Sequence, residues 1–130
     1  MYNIIAVDIS GRHMMEGQYF MVCAAVTLSV SASQIRRVGE MSIKLFNRDR
    51  APDVEYVVQM IEDTVDGLNV DATIVVEKGD LYNQPEWLSK SMFLQDFKYP
   101  ESLSERLGIE IAHHVSLSSR RLLIRELGIE

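Results

Sequence analysis

Ile4-Ile5-Ala6-Val7-Asp8 is a short apolar run that ends in a carboxylate, near the start of a chain of 130 residues. A continuous apolar run of this length predicts a buried β-strand. Because a buried strand has no packing use for an acid, Asp8 must be hydrogen-bonded, lie at the sheet edge or bind a metal ion. Open α/β sheets bind their ligands at the carboxyl ends of strands, where Asp8 lies. The alternative is a turn cap, with Asp8 accepting backbone N–H groups of Ser10 or Gly11.

The patterns of the remaining chain predict further strands and helices. The predicted elements are strands at 4–8, 19–30 and 38–46, a helix at 54–68, a strand at 72–76, a short helix from about Pro85 and a helix from Glu101 to Leu127. Gly39 marks a candidate bulge, and Gly108 marks a candidate interruption of the last helix. The segment from Met92 to Tyr99 fits either a last strand or an extended crossing segment.

This order of elements predicts the α/β class. A three-stranded antiparallel meander followed by β-α-β crossovers gives a mixed sheet with parallel strands and helices on its faces. A hydrophobic fraction of 47% excludes wholesale disorder. We expect one domain over residues 1–130, because the chain has no internal repeat or linker and is too short for two full domains.

Charge and hydropathy limit the location and the partners. The formal charge is −6, whereas proteins that hold nucleic acid by general attraction are usually basic. The apolar run Phe20 to Leu28 is too short to span a bilayer, and the start of the chain lacks the basic region of a secretory signal. We therefore expect a cytoplasmic protein without a membrane segment. Cys23, inside that run, is expected to be buried and inert.

Glu77 repeats the pattern of Asp8 at the end of the predicted fourth strand. If strands one and four are adjacent and parallel, the two carboxylates are neighbours and repel each other unless a cation lies between them. Mg²⁺ or Mn²⁺ is the natural occupant of such an oxygen site. Asp80 is the substitute if the strand ends later. Alternatively, Lys78 offsets the charge, and Glu77 forms a surface ion pair.

Glu110, His113 and His114 have i, i+3 and i+4 spacing on the last predicted helix. This spacing points Glu110 and at least one histidine the same way, which is a usual arrangement for metal ligands. The alternative is a structural role, with one imidazole ring satisfied against the core.

The arrangement of Asp8, Glu77 and this helical group resembles the ribonuclease H-like superfamily. That fold opens with a three-stranded meander, continues through a helix to a strand parallel to the first, and closes with a helix that brings acids to the sheet end. The resemblance implies metal ligands at Asp8, Glu77 and Glu110. In the Holliday-junction resolvases of this superfamily the last helix supplies an acidic pair or an acid with a histidine, which implies catalytic roles for Glu110 with His113 or His114.

The stretch Val7-Asp8-Ile9-Ser10-Gly11-Arg12, followed by Cys23-Ala24-Ala25-Val26, is similar to the opening of type 2 ribonucleases H. Asp8, Gly11 and Arg12 match that motif, while Ile9 replaces its second acid. The whole chain also resembles an uncharacterised archaeal family thought to share this fold. Sugar kinases and actin-like ATPases open with an Asp-x-Gly loop, but here the glycine comes one place late.

We expect from these features a divalent-metal nuclease that uses Mg²⁺ or Mn²⁺, with no residues for any other cofactor. Five basic residues are expected to contact nucleic-acid phosphates: Arg12, Arg36, Arg37, Lys44 and Arg48. Two other functions remain open. One is a non-catalytic ribonuclease H-like module that binds protein or nucleic acid. The other is a homodimeric scaffold whose contact surface is aromatic, formed by Trp87, Phe93, Phe97 and Tyr99.

Overall fold

The computed structural model describes residues 1–129 and contains a five-stranded mixed sheet. Its strands are β1 (Tyr2–Ser10), β2 (Tyr19–Val30), β3 (Ile35–Arg48), β4 (Thr73–Val76) and β5 (Phe97–Lys98). Its helices are α1 (Val54–Val65), α2 (Glu86–Met92) and α3 (Leu103–Glu126), and a 3-10 turn covers Lys78–Leu81. The spatial order is β3-β2-β1-β4-β5, with β1 to β3 antiparallel and with β4 and β5 parallel to β1. The predicted α/β class and mixed sheet are confirmed.

The strands agree with the sequence patterns at their centres and differ at their ends. β2 has the predicted bounds, but β3 is longer than predicted, because its pairing with β2 continues from Ile35 opposite Val30 to Arg48 opposite Tyr19. The bulge expected at Gly39 is confirmed by a register shift between the pairs at Val38 and Met41. The segment from Met92 to Tyr99 contains the two residues of β5.

The two faces of β1 pack against different helices. Ile5, Val7 and Ile9 belong to an apolar cluster with α1, whereas Ile4 and Ala6 pack with α3 residues. Since side chains alternate along a strand, Asp8 and Ser10 continue the row that faces α3. The same strand therefore seals a core on its α1 face and carries polar groups on its α3 face.

The long helix α3 is continuous, so the predicted interruption at Gly108 is wrong. A Cβ atom at Gly108 would come within 2.7 Å of Leu28 Cδ1 and 3.5 Å of Ala6 Cβ. The glycine therefore allows close packing of α3 on the sheet. The helix starts with a capping box, in which Ser102 accepts the N–H of Glu105 and Glu105 accepts the N–H of Ser102.

Of the four aromatic residues expected on a scaffold's contact surface, Phe93 and Phe97 are buried in the core and Tyr99 is half-buried against it. Phe93 and Phe97 stack with ring centroids 4.6 Å apart, and Tyr99 meets Phe97 edge to face, because all three pack into the core. Trp87 is the one member with an exposed side chain. Cys23 is buried as expected, and burial raises the pKa of its thiol to about 12. Within residues 1–129, every helix is too short or too polar to cross a bilayer.

Candidate functional site

β1 and β4 are adjacent and parallel, as predicted, but β1 does not end at Asp8, because its pairing with β2 continues to Ser10. Val7 pairs with Val76 in the parallel register, so the next residues, Asp8 and Glu77, follow at the same sheet edge and on the α3 face. After Glu77 the chain turns through the 3-10 turn and brings Asp80 into the same neighbourhood.

Asp8 is a buried acid whose partners come from α3. Its Oδ2 atom accepts a hydrogen bond from Ser116 Oγ at 2.7 Å and lies 3.3 Å from His113 Nδ1. Ser116 Oγ is also 2.6 Å from Ser10 Oγ. These contacts are not those of a turn cap, because they reach a helix about a hundred residues away in sequence. Burial raises the pKa of Asp8, although the hydrogen bond from Ser116 and the charge of His113 act in the opposite direction.

Asp80 faces Arg12 but leaves one of its oxygens without a partner. Arg12 Nη1 donates to the Asp80 carbonyl at 2.9 Å and lies 3.4 Å from Asp80 Oδ1. The guanidinium also lies 4.8 Å from the ring centroid of Tyr82. Asp80 Oδ2 and Arg12 Nη2 are both buried and have no hydrogen-bond partner within residues 1–129. Buried polar atoms are normally paired, so two orphans in one place point to a missing partner.

The charges around Asp80 do not balance. Burial raises the pKa of its carboxyl to about 7, and the neighbouring Asp8 carboxylate, followed by Glu77, acts in the same direction. Arg12 and His113 oppose this shift without overcoming it. Two acids in such a place cannot both stay ionised at low cost unless a cation compensates them. The site is therefore short of positive charge.

The other predicted ligands lie around this pair rather than in it. Glu77 is half-buried and takes part in no ion pair within residues 1–129, so the predicted surface pair with Lys78 is not formed. Glu110 and His114 are exposed on α3, and His113 is the member of that group that reaches Asp8. Across the described part of the chain, no three His, Cys, Asp or Glu side chains are grouped closely enough to hold a metal ion.

Most of the predicted phosphate-binding residues are distant from Asp8. Lys44 pairs with Cys23 and so lies on the α1 face, where Arg48 also stacks on the Tyr56 ring at 3.9 Å. Arg36 and Arg37 lie at the other end of β3, beside the last residues of β2. Of the five predicted residues, the structure brings Arg12 to the site.

Arg120 is a basic residue four positions after Ser116 on α3, and the sequence patterns missed it. Its Nε donates to the Phe20 carbonyl at 2.7 Å and passes directly over Gly11. Gly11 has φ +93°, and a Cβ atom there would come within 2.1 Å of Arg120 Nε. Glycine at this position is therefore required both by backbone conformation and by space. Ser116 was missed as well, although it lies three residues after His113 and so shares its helix face.

The sequence matches a protein-family model and is similar to another protein. A family model described as "Uncharacterized protein conserved in archaea (DUF2209)" matches residues 5–124. The chain is similar to the uncharacterized protein MJ0095 of Methanocaldococcus jannaschii, with 28% identity over 123 residues, 94% of this chain and 97% of that protein.

Among solved structures, the chain is similar to one in the cryoEM structure of a simian T-cell lymphotropic virus intasome in complex with the PP2A regulatory subunit B56 gamma. The TM-score is 0.44 and the identity is 11% over 75% of this chain. This chain spans 31% of the length of that one.

Proposed function

The chain belongs to this archaeal family, DUF2209, and we propose that it is a ribonuclease H-like nuclease that hydrolyses phosphodiester bonds with a divalent metal ion. The observation that carries the proposal is the buried Asp8 beside the partly buried Asp80, whose Oδ2 atom is buried and has no partner within residues 1–129. The sheet order supports the fold, because a three-stranded meander followed by strands parallel to the first resembles that superfamily.

The residues at this edge fit Mg²⁺ or Mn²⁺. Both ions take oxygen ligands, and Asp80 Oδ2 is a buried oxygen without a partner within residues 1–129. We assign Asp8 and Asp80 as the ligands, and water or substrate oxygens would complete the coordination, because within residues 1–129 no third acid is grouped closely enough with them. An ion bound there would polarise a phosphate oxygen and lower the pKa of a water molecule.

The chain's own residues have distinct roles in this proposal. Ser116 holds Asp8 in place through a hydrogen bond from a buried hydroxyl. His113 is half exposed next to Asp8, so its imidazole is placed to accept or donate a proton, with His114 beside it. Arg12 and Arg120 supply positive charge for phosphate oxygens, and Arg12 Nη2 is an unused donor.

A non-catalytic ribonuclease H-like binding module is the second candidate, and Ile9 favours it. Ile9 stands where the type 2 ribonuclease H motif has its second acid. Its side chain is 6% exposed and packs in the cluster with α1, on the face opposite to Asp8. This position therefore cannot supply a ligand, and a site with fewer acids can bind an ion without hydrolysing a substrate.

A cleavage assay separates the two candidates. Purified protein is incubated with Mn²⁺ or Mg²⁺ and labelled single-stranded, duplex, hybrid and branched nucleic acids. The nuclease proposal expects cleavage that falls at least about a hundredfold in Asp8→Asn and in Asp80→Asn. The matched control is Asp71→Asn, an exposed acid before β4, which should cleave like the wild type.

Binding without cleavage would identify the second candidate, the non-catalytic binding module. Retained binding of labelled nucleic acid with no product, in a folded protein with metal present, favours the non-catalytic module. Cleavage that persists unchanged in Asp8→Asn contradicts the assigned site.

A further inference from the structure

β3 is a long strand at the open edge of the sheet. It has 14 residues, and β2 is its one neighbour in the sheet of residues 1–129. An edge strand presents a row of backbone N–H and C=O groups that can pair with another strand. Long edges of this kind are normally blunted or covered, and β3 carries features of a covered edge.

One face of β3 displays an apolar row beside α3. Met41, Ile43 and Leu45 pair with Val26, Ala24 and Val22, residues on the α3 face of β2. Their side chains are 49%, 43% and 39% exposed, and Val38 is 44% exposed in the same part of the strand. Four neighbouring apolar side chains this accessible mark an interaction surface better than scattered surface residues do.

The opposite face of β3 carries charges in a self-complementary order. Lys44 lies on the α1 face, and Glu40 lies there too, since it accepts the N–H of Asn69 just after α1. Ser42 is midway between them. If β3 pairs antiparallel with a second copy about Ser42, Glu40 stands opposite Lys44 twice, and Met41 stands opposite Ile43 twice.

The charges of β3 disfavour a register centred on Lys44. A two-fold axis perpendicular to the sheet keeps each face continuous across the dimer. Because directly opposite residues of an antiparallel pair lie on the same face, the axis must lie where one residue stands opposite its own copy, not between two consecutive residues. Pairing centred on Lys44 would oppose two ammonium groups. Pairing centred on Ser42 runs in simple alternation from Glu40 to Lys44, and before Glu40 the bulge at Gly39 shifts the pairing by one residue.

We propose that β3 pairs with β3 of a second copy of this chain, centred on Ser42, to form a two-fold dimer with one continuous sheet. The self-complementary charges select a second copy over an unrelated strand, because a two-fold interface uses one surface twice. The cross-strand pairs give the register, and the apolar row gives the buried area. The proposal is independent of nuclease activity.

Sedimentation at several concentrations tests the dimer. The wild type is expected to sediment at twice the 14.8 kDa mass of one chain at micromolar concentrations. Ile43→Lys and Lys44→Glu are each expected to weaken the dimer at least about tenfold, because they place charges against an apolar row or against Glu40. Leu94→Lys, at a side chain 94% exposed outside β3, is the control and should leave the dimer intact.

Mixing two variants tests the register itself. Glu40→Lys and Lys44→Glu each oppose like charges in their own dimers, but a mixed dimer restores both ion pairs. We expect each variant alone to be mostly monomeric and an equimolar mixture to recover a dimer. Thermal melting checks that both variants remain folded.

A wild type that stays monomeric at about 100 µM, roughly a hundred times a micromolar dissociation constant, contradicts the proposal. A dimer that is unchanged in Ile43→Lys and Lys44→Glu contradicts it as well. Folded variants whose mixture fails to recover the dimer show that the register centred on Ser42 is wrong.

Discussion

Glu105 and Asp80 are two largely buried acids that the fold treats in opposite ways. Glu105 is 1% exposed, and its two oxygens accept from Tyr2 Oη, Lys98 Nζ and the backbone N–H groups of Glu101 and Ser102. Burial alone would raise the pKa of Glu105, but these donors outweigh burial and hold it at about 2. Glu105 is therefore a satisfied structural acid.

Asp80 has a single charged partner and an orphaned oxygen. Burial and the Asp8 carboxylate raise its pKa to about 7, and Arg12 does not compensate. Burial by itself therefore does not distinguish a structural acid from a candidate metal ligand. The two acids differ in the number of hydrogen-bond donors around the carboxylate. Glu105 has four donors, whereas Asp80 Oδ2 has none within residues 1–129, so a cation could take their place there.

The largest expected effect of a substitution is at Glu105. Glu105→Gln should lower the free energy of unfolding by about 2–4 kcal/mol, because an amide cannot satisfy both backbone N–H groups and Lys98 as a carboxylate does. Urea denaturation at pH 7 measures this loss. Glu101→Gln, at a side chain 71% exposed, is the control and should cost under about 0.5 kcal/mol. If both variants lose the same free energy of unfolding, Glu105 is not a specially stabilised acid, and its contrast with Asp80 does not hold.

The loop that brings Arg12 to Asp80 depends on Gly11. Gly11→Ala should destabilise the protein by about 1–3 kcal/mol, because its Cβ would meet Arg120 and the Phe20 carbonyl at φ +93°. Thermal and urea unfolding measure this change. Gly17→Ala provides a comparison, since Gly17 has φ +80° but nothing within 4 Å of the added Cβ. Gly11 should cost more than Gly17, and the reverse order would show that the close approach is not energetically important.

The pH dependence of stability should differ in sign between the two acids. The pKa of Asp80 is higher in the folded state, so its contribution to stability is present below about pH 4 and is lost as the pH rises to about 7. The pKa of Glu105 is lower in the folded state, so its contribution is lost as the pH falls from about 4.5 to about 2.

Asp80→Asn isolates the first of these contributions. We expect this variant to be about 1–2 kcal/mol more stable than the wild type at pH 8 and equal to it at pH 4, without metal. Asp71→Asn should show no such dependence. A loss of stability at pH 8 in Asp80→Asn would mean that the charged carboxylate is stabilising, as at Glu105.

The smallest expected effect is at the hydroxyl that holds Asp8. Ser116→Ala removes a 2.7 Å hydrogen bond to the Asp8 carboxylate and should cost about 1 kcal/mol. Ser118→Ala, at an exposed position of the same helix, controls for helix propensity. If this hydrogen bond orients Asp8 for metal binding, Ser116→Ala should also lower the affinity for Mn²⁺. An unchanged affinity would show that Ser116 is purely structural.

The fold was largely readable in the sequence, because the strands carry strong local patterns. The apolar run at β1 and the β-rich run at β2 gave their positions, and helical spacing gave α1 from Val54. The last helix was predicted from Glu101, whereas the capping box of Ser102 and Glu105 starts α3 at Leu103. Gly108 was misread, since its role depends on Leu28 and Ala6, which are distant in sequence.

The site was only partly predictable. Asp8 was identifiable from its place at the end of an apolar strand, and His113 from its helical spacing. The sequence spacing could not show that Asp80, rather than Glu110, lies beside Asp8, because the turn after β4 determines where Asp80 lies. Arg120 and Ser116 carry no motif, so tertiary packing alone brings them to the site.

Calorimetric titration of the purified protein with Mn²⁺ tests most directly whether Asp8 and Asp80 together form a cation site. We expect binding by the wild type and by Asp71→Asn at pH 8, and loss of that binding in both Asp8→Asn and Asp80→Asn. A folded wild type that gives no binding heat and no thermal stabilisation at millimolar Mn²⁺ would contradict this expectation. So would binding that both substitutions leave unchanged.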